Sequence, residues 1–449
     1  MIGLGLGLSL GSAGKPGKSL RAFSPLKTKM EAGENVVIFI NPDSTGYSDY
    51  GPFYKFPVAL GDLHDYTVVM NRWAEWDGSA ATGPKQYASP VTLRTGTRGT
   101  LTVYLASIPG KVAGTIFDGS RKPNAIDAIP TPDLCIMHQG HNMKTFNIPS
   151  GTGNVASGAG AILGPIGMTE LQWPNVPQLI TTQNPRRDDN GYINMYTAIL
   201  LAKSAHPAMS LIDTYQQFIA RNKASSLYRD NDHPSDTSGN STGAQLISDT
   251  LLSAYNSSKS ASYTTPAWPL ASASNLIDNG DFATWTEPSP PTGWTLQGSG
   301  TACAKDTTIK YGAAAYSMAL TPSTTIMGQN TFLQKYLSNP EMARIAGKTV
   351  TVAMLVRGRS THPRAYASFG VPDFSGAIKT WVMGDVIDCF DDWMWLVATG
   401  IPVVNNPAET YKYLRIYPAF DTVNPPNADP LNIQKVMITE GIAPKGIIA

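Results

Sequence analysis

The stretch VVIFINPDSTGYSD, residues 36–49, decides how the amino-terminal half of this chain folds. Five apolar residues run on without polar alternation, the pattern of a strand buried on both faces. Pro42-Asp43 then breaks the run into a tight turn, and Ser44 comes out of it followed by Thr45-Gly46. In open α/β sheets the carboxyl ends of strands are where ligands bind. A serine placed there becomes a nucleophile if a base reaches it. Taken alone, Asp-Ser-Thr-Gly in a turn is more often only a helix cap.

Similar runs follow at TLTVYLA (100–106), DLCIMH (133–138) and QLITT (178–182), each closed by turn-forming residues. Helical stretches are expected at 191–204 and 207–222. Buried runs alternating with helices predict a parallel sheet covered on both faces over 36–255. Residues 1–35 read as a Gly/Ser/Lys-rich arm, and 256–274 (NSSKSASYTTPAWPLASAS) as a low-complexity linker. From Asn275 the texture changes. TVTVAMLV (349–356), WMWLVATGI (393–401) and YKYLRIYPAF (411–420) come with Pro/Gly/Asn turns between them and one helix-like stretch near 331–345. That pattern predicts an all-β sandwich over 275–449. No repeat of fixed period occurs, which disfavours a solenoid or propeller.

Composition narrows the function classes. The 449 residues suit two or three domains, and 34 Lys+Arg against 33 Asp+Glu leave a net charge of 34 − 33 = +1. So neutral a chain has no global pull on nucleic acid or anionic lipid. No stretch approaches the roughly 20 apolar residues of a membrane helix. The start, MIGLGLGLSLGSAGKPGKSL, lacks a basic leader and alternates glycine through its apolar part, so no signal peptide is expected and synthesis in a cytoplasm is. Gly7-Leu8-Ser9-Leu10-Gly11 fits the nucleophile-elbow spacing but lacks a strand–turn–helix context. Three cysteines (Cys135, Cys303, Cys389) make no disulfide framework and are expected free and mostly buried.

Three further segments carry candidate chemistry. DLCIMHQGHNM (133–143) is a strand ending in Gly140-His141-Asn142, where the Asn142 amide is placed to donate to a developing oxyanion. LYRDNDHPSD (227–236) puts Asp230 three residues before His233, so the carboxylate can orient the ring. YLASIPGK (104–111) ends a strand with Gly110, whose bare backbone allows close approach to a substrate. His138 and His141 invite a metal reading, but zinc needs three or four ligands and no Cys or acidic partner is near in sequence. Arg186-Arg187-Asp188-Asp189 reads as a solvated loop. Trp285, Trp294, Trp393 and Trp395 read as sandwich core rather than sugar platforms.

In this order, the four segments resemble blocks I, II, III and V of the SGNH (GDSL-like) hydrolases. That family carries a Gly-Asp-Ser block, a lone glycine, a Gly-x-Asn-Asp block and an Asp-x-x-His block. The resemblance covers roughly residues 36–255. Pro42 stands where the family usually has glycine, and Met143 where it usually has aspartate. The resemblance implies an α/β, flavodoxin-like three-layer hydrolase domain. It implies Ser44 as nucleophile, His233 as base and Asp230 as its orienting acid. The oxyanion hole would be formed by Ser44, Gly110 and Asn142, with no metal and no organic cofactor.

NLIDNGDF (275–282), PPTGWTL (290–296), AGKTVTVAMLVRG (346–358) and VMITEG (436–441) resemble a carbohydrate-binding β-jelly-roll. Such modules are common in bacteriophage tail proteins, and the glycine-alternating amino terminus also resembles virion structural proteins. Together the resemblances imply an esterase removing O-acetyl groups from a bacterial capsule, exopolysaccharide or O-antigen. They imply a place in a virion tail, contacts to other tail proteins through the amino-terminal arm, and a possible homotrimer. Two alternatives stand beside this reading: a receptor-binding virion protein without catalysis, and a lipase or thioesterase for small acyl esters.

Overall fold

The computed structural model describes residues 21–117, 120–142, 153–188, 192–206, 208–237, 242–260, 274–322, 332–358, 366–372, 375–383, 393–418 and 429–441. The arm before Arg21, Met143, Cys389 and most of the 256–274 linker lie outside them.

The first unit is built on a seven-stranded sheet: β1 (Val36–Pro42), β2 (Tyr66–Arg72), β3 (Val91–Arg94), β4 (Gly99–Leu105), β5 (Leu134–His138), β6 (Gln178–Thr181) and β7 (Ser210–Ile212). Their spatial order is β3-β2-β4-β1-β5-β6-β7. Six strands run parallel, and β3 lies antiparallel on β2 at the edge. A flavodoxin-like order would set β2 directly beside β1. Here β3 folds back on the outer edge of β2 and the chain returns as β4 on its inner edge, so β4 separates the two. The flavodoxin-like expectation is corrected to this extent. β2, β3 and β4 lie on one side of β1 and β5, β6 and β7 on the other, so the chain changes sides at β1, whose carboxyl end is the place such sheets leave a crevice.

Side chains alternate across β1 and sort the helices into two layers. Val36, Ile38 and Ile40 face α1 (Phe23–Ala32), α2 (Pro52–His64) and α6 (Gly243–Ser257) through Phe23, Phe56, Leu60, Ile247 and Leu251. Phe39, with Cys135 and Met137 of β5, faces α3 (Gly153–Gln172) and α4 (Tyr192–Ala205). Each fully buried Phe or Leu contributes about 1.5–3 kcal/mol.

Local chemistry explains where elements differ from the sequence reading. The supposed arm ends in α1, whose Phe23, Leu26 and Met30 are buried and whose end is capped by Gly33 in the left-handed region. The stretch 207–222 is not one helix. Ser210–Ile212 pairs with β6, and Asp213 then caps the short α5 (Thr214–Ile219) by accepting from the Gln216 N–H. The helix-like stretch near 331–345 splits likewise. It forms β11 (Phe332–Tyr336) and then α7 (Asn339–Ile345), started by a Ser338/Glu341 capping box with Pro340 in its first turn.

The second unit is a sandwich of two antiparallel five-stranded sheets. One has the order β15 (Trp393–Pro402), β12 (Thr349–Arg357), β17 (Leu431–Glu440), β10 (Ser317–Thr321), β9 (Ala302–Asp306). The other runs β14 (Ile378–Met383), β13 (Tyr366–Pro372), β16 (Tyr413–Tyr417), β11, β8 (Thr295–Gln297). Trp285 and Trp294 are buried and Trp393 is half-buried, while the Trp395 side chain lies outside the described residues. Cys135 and Cys303 are free thiols.

The two units are not independent. Residues 162–169 of α3 are buried without a break, which one face of a 3.6-residue helix cannot achieve. α3 shares a core with Phe39, Cys135 and Met137 of the parallel sheet, and it also runs along β14 and β15. A low-complexity linker at 256–274 predicts few contacts and two separable pieces. Instead a helix of the first unit is covered by strands of the second. A fragment ending at residue 260 should therefore aggregate or unfold at markedly lower urea than the full chain. A monomeric fragment with the full chain's urea midpoint would refute this.

Candidate functional site

The turn after β1 places the first site residue. Asp43 caps a short 3-10 turn over Ser44–Gly46, its carboxylate accepting from the Thr45 N–H at 2.9 Å and the Thr45 hydroxyl at 2.6 Å. Gly46 is needed there because a Cβ would sit 2.6 Å from Pro42 Cβ and 2.7 Å from the Phe53 ring.

The loop before α6 brings the base. The His233 and Asp232 N–H groups both donate to Asp230 Oδ1 at 2.8 Å, closing a tight turn that explains the Asp-x-x-His spacing. His233 Nδ1 lies 2.8 Å from Asp230 Oδ2, and its Nε2 lies 2.9 Å from Ser44 Oγ. A carboxylate only accepts, so Nδ1 carries the proton and Nε2 is left to accept from the serine hydroxyl. Ser44, His233 and Asp230, 189 residues apart along the chain at the extremes, meet in one chain of hydrogen bonds. Burial pushes the Asp230 carboxyl up, but the His233 and Asp232 N–H groups and the imidazole outweigh it and hold it at about 2.

The other two candidates sit on loops joined by a hydrogen bond. Asn142 Nδ2 donates to the Lys111 carbonyl at 2.8 Å, which ties the loop after β5 to the residue following Gly110. Gly110 is exposed and holds φ +76°, a left-handed conformation that glycine adopts without strain.

The histidines at and after the end of β5 take different places. His138 is fully buried, with Nδ1 2.5 Å from Thr181 Oγ1 and its ring edge-on to Phe53. His141 Nε2 donates to the Asn184 carbonyl at 2.8 Å, and its ring stacks on Tyr192. Among the described residues no three His, Cys, Asp or Glu side chains gather as metal ligands.

Burial pushes His138 down to about 4, against the pull of the Asp43 charge. An unfolded chain would protonate this ring near 6.5, so between about 6.5 and 4 it binds a proton that the native state refuses. Stability therefore falls as the pH falls through that window, by roughly 3 kcal/mol from this ring. Urea midpoints of the wild type should decline from pH 6.5 to pH 4, and those of His138→Gln should decline less. Parallel declines would refute the assignment.

Sequence reading missed the segment after β6. Gln183 is fully buried in the left-handed region at φ +58°, and its Nε2 lies 2.9 Å from Asp43 Oδ2 and 3.0 Å from Thr45 Oγ1. Its Oε1 accepts from the His141 N–H at 3.0 Å and the Tyr192 hydroxyl at 2.9 Å. Asn184 Nδ2 donates to the Asp232 carbonyl at 2.8 Å. Arg186, expected in a solvated loop, pairs with Asp232 at 2.9 Å, and the Arg187 N–H donates to the Asn231 carbonyl at 2.9 Å. A Gln-Asn pair after a buried strand is the only sequence signal for this brace, and it has no motif.

No protein-family profile and no curated protein matches this chain. Some solved structures are similar to part of it. A family 22 xylan-binding domain from Paenibacillus barcinonensis has 13% identity and a TM-score of 0.26, covering 38% of this chain and 96% of its own. The enzymatically active domain of tailspike protein 4 from bacteriophage CBA120 has 12% identity and a TM-score of 0.26, covering 40% of this chain and 24% of its own. The TmCBM61 module, solved with β-1,4-galactotriose, has 12% identity and a TM-score of 0.24, covering 37% and 99%. The chain is thus similar in part to carbohydrate-binding modules and to a phage tailspike domain. Among the described residues no helix is long and apolar enough to cross a membrane.

Proposed function

We propose that this chain is a serine ester hydrolase of the SGNH type that removes O-acetyl groups from a bacterial surface polysaccharide, as part of a bacteriophage tail. The observation that carries the catalytic part is the Ser44–His233–Asp230 chain of hydrogen bonds at the carboxyl end of β1. His233 takes the proton from Ser44 Oγ as it attacks the ester carbonyl, and Asp230 holds the imidazole in the right tautomer and stabilises its charged form. The Ser44 and Gly110 N–H groups and the Asn142 amide are assigned to the tetrahedral oxyanion. The proton then passes from His233 to the leaving sugar oxygen, and water hydrolyses the acyl-enzyme by the same base.

The polymeric substrate is supported by the sandwich. Stacking on sugar rings needs an exposed aromatic face. Tyr336 of β11 is 57% exposed and pairs in register with Tyr413 of β16, where Arg415 stacks 3.9 Å over the Tyr413 ring. The test is acetate release from acetylated bacterial surface polysaccharides, beside hydrolysis of acetyl, butyryl and longer nitrophenyl esters. Release of acetate from a polymer supports the proposal. Turnover confined to long-chain esters would favour a lipase, and no turnover of any ester would leave a binding protein.

A further inference from the structure

We propose that Gln183 is a positioning residue for the reaction proposed above: its side chain locks the nucleophile turn after β1 to the oxyanion loop after β5. The inference rests on that catalytic reading and on the following geometry.

Asp43 precedes the nucleophile, and its carboxylate is wholly buried. Oδ1 accepts from Thr45, and Oδ2 accepts from the Gly140 N–H at 3.3 Å, the His141 N–H at 3.1 Å and Gln183 Nε2 at 2.9 Å. Burial pushes this carboxyl up, but the neighbouring His141 and His138 imidazoles, and after them the bonds from Thr45 and Gln183, outweigh it and keep the carboxyl below its ordinary range. The charge thus draws the Ser44 turn and the 140–142 loop onto one point. Gln183 closes the arrangement from a third strand. One end of its amide bonds Asp43, Thr45 and the His138 carbonyl, and the other accepts from the His141 N–H. Asp43 and Thr45 flank Ser44 and His141 precedes Asn142, yet none of these bonds reaches the triad itself.

Three features show that the position is built for this contact. Gln183 holds a left-handed backbone conformation that residues other than glycine rarely adopt. Tyr192 donates to its Oε1 and so fixes which end of the amide points where. Gly140 leaves room for it, because a Cβ there would lie 2.8 Å from Gln183 Oε1 and 2.6 Å from the Tyr192 hydroxyl. An amide that spans two loops in this way sets the distance between the attacking oxygen and the oxyanion donor. Errors of about 1 Å in that distance cost on the order of 100-fold in rate.

The test compares wild type, Gln183→Met and Thr45→Val on a small acetyl ester, with fluorophosphonate labelling of Ser44 as a second readout. Methionine keeps the volume and removes both ends of the amide. The expected result is a fall in kcat of about 10- to 100-fold with KM within about 3-fold, and an equal slowing of labelling. The acid limb of the pH–rate profile should stay in place, because Gln183 touches neither Asp230 nor His233. A Gln183→Met protein with wild-type kcat, or one whose loss lies wholly in KM, overturns the proposal. If that variant does not fold, Thr45→Val carries the test. It removes one partner of the amide and should lower kcat alone by roughly 3- to 10-fold, and an unchanged kcat overturns the proposal. A wild type that neither turns over ester nor labels at Ser44 overturns the catalytic reading itself, an outcome distinct from a labelled wild type with an indifferent Gln183.

Discussion

Replacing Ser44 with alanine is expected to abolish ester hydrolysis and leave the fold intact. The hydroxyl is the atom that His233 Nε2 meets at 2.9 Å, and nothing else in the turn can supply a nucleophile to the same base. Loss of the nucleophile from such a unit lowers kcat by about 10^4- to 10^6-fold. The stability cost is small, because the turn is held by Asp43, Thr45 and Gln183 rather than by the serine side chain. The measurement is kcat on a nitrophenyl acetate beside a urea unfolding curve. A variant that keeps even about a tenth of wild-type turnover would show that another residue attacks.

Asp230→Asn is expected to have the next largest effect, a fall in kcat of roughly 10^3- to 10^4-fold with little change in KM. The carboxylate does two things that an amide cannot. It selects the tautomer with the proton on Nδ1, and it stabilises the imidazolium that forms when Ser44 gives up its proton. An asparagine presents its N–H to Nδ1 as readily as its oxygen, which would leave Nε2 protonated and unable to act as base. Because Asp230 is held at about 2, the acid side of the wild-type profile should show no break near pH 4 from this carboxyl. Retention of more than about a tenth of kcat in Asp230→Asn would remove this residue from the mechanism.

The parallel sheet, the turn that delivers Ser44 and the Asp230–His233 turn could be read from the chain because each is written in local chemistry. VVIFI, DLCIMH and QLITT are too continuously apolar to be anything but strands buried on both faces. The Asp230-to-His233 spacing is a turn whose carboxylate accepts from its own backbone, so acid and base come as one piece. Likewise Pro42-Asp43 ends β1 and delivers Ser44 at its carboxyl end whatever the rest of the chain does.

What tertiary structure alone decided is how those pieces meet and what covers them. The insertion of β4 between β2 and β1 depends on which edge of β2 the returning chain takes, and no side chain of β4 encodes that. The contact between the units follows from α3, which is apolar on all sides. A sequence shows that such a helix must be covered, but only the packed chain shows that β14 and β15 do the covering. Gln183 and Asn184 have the same origin. A buried amide far along the chain is indistinguishable from a turn residue until its partners at Asp43, His141 and Asp232 arrive. Local bonds are specified by neighbours in sequence, whereas a brace across β1, β5 and β6 exists only once the sheet has set those strand ends side by side.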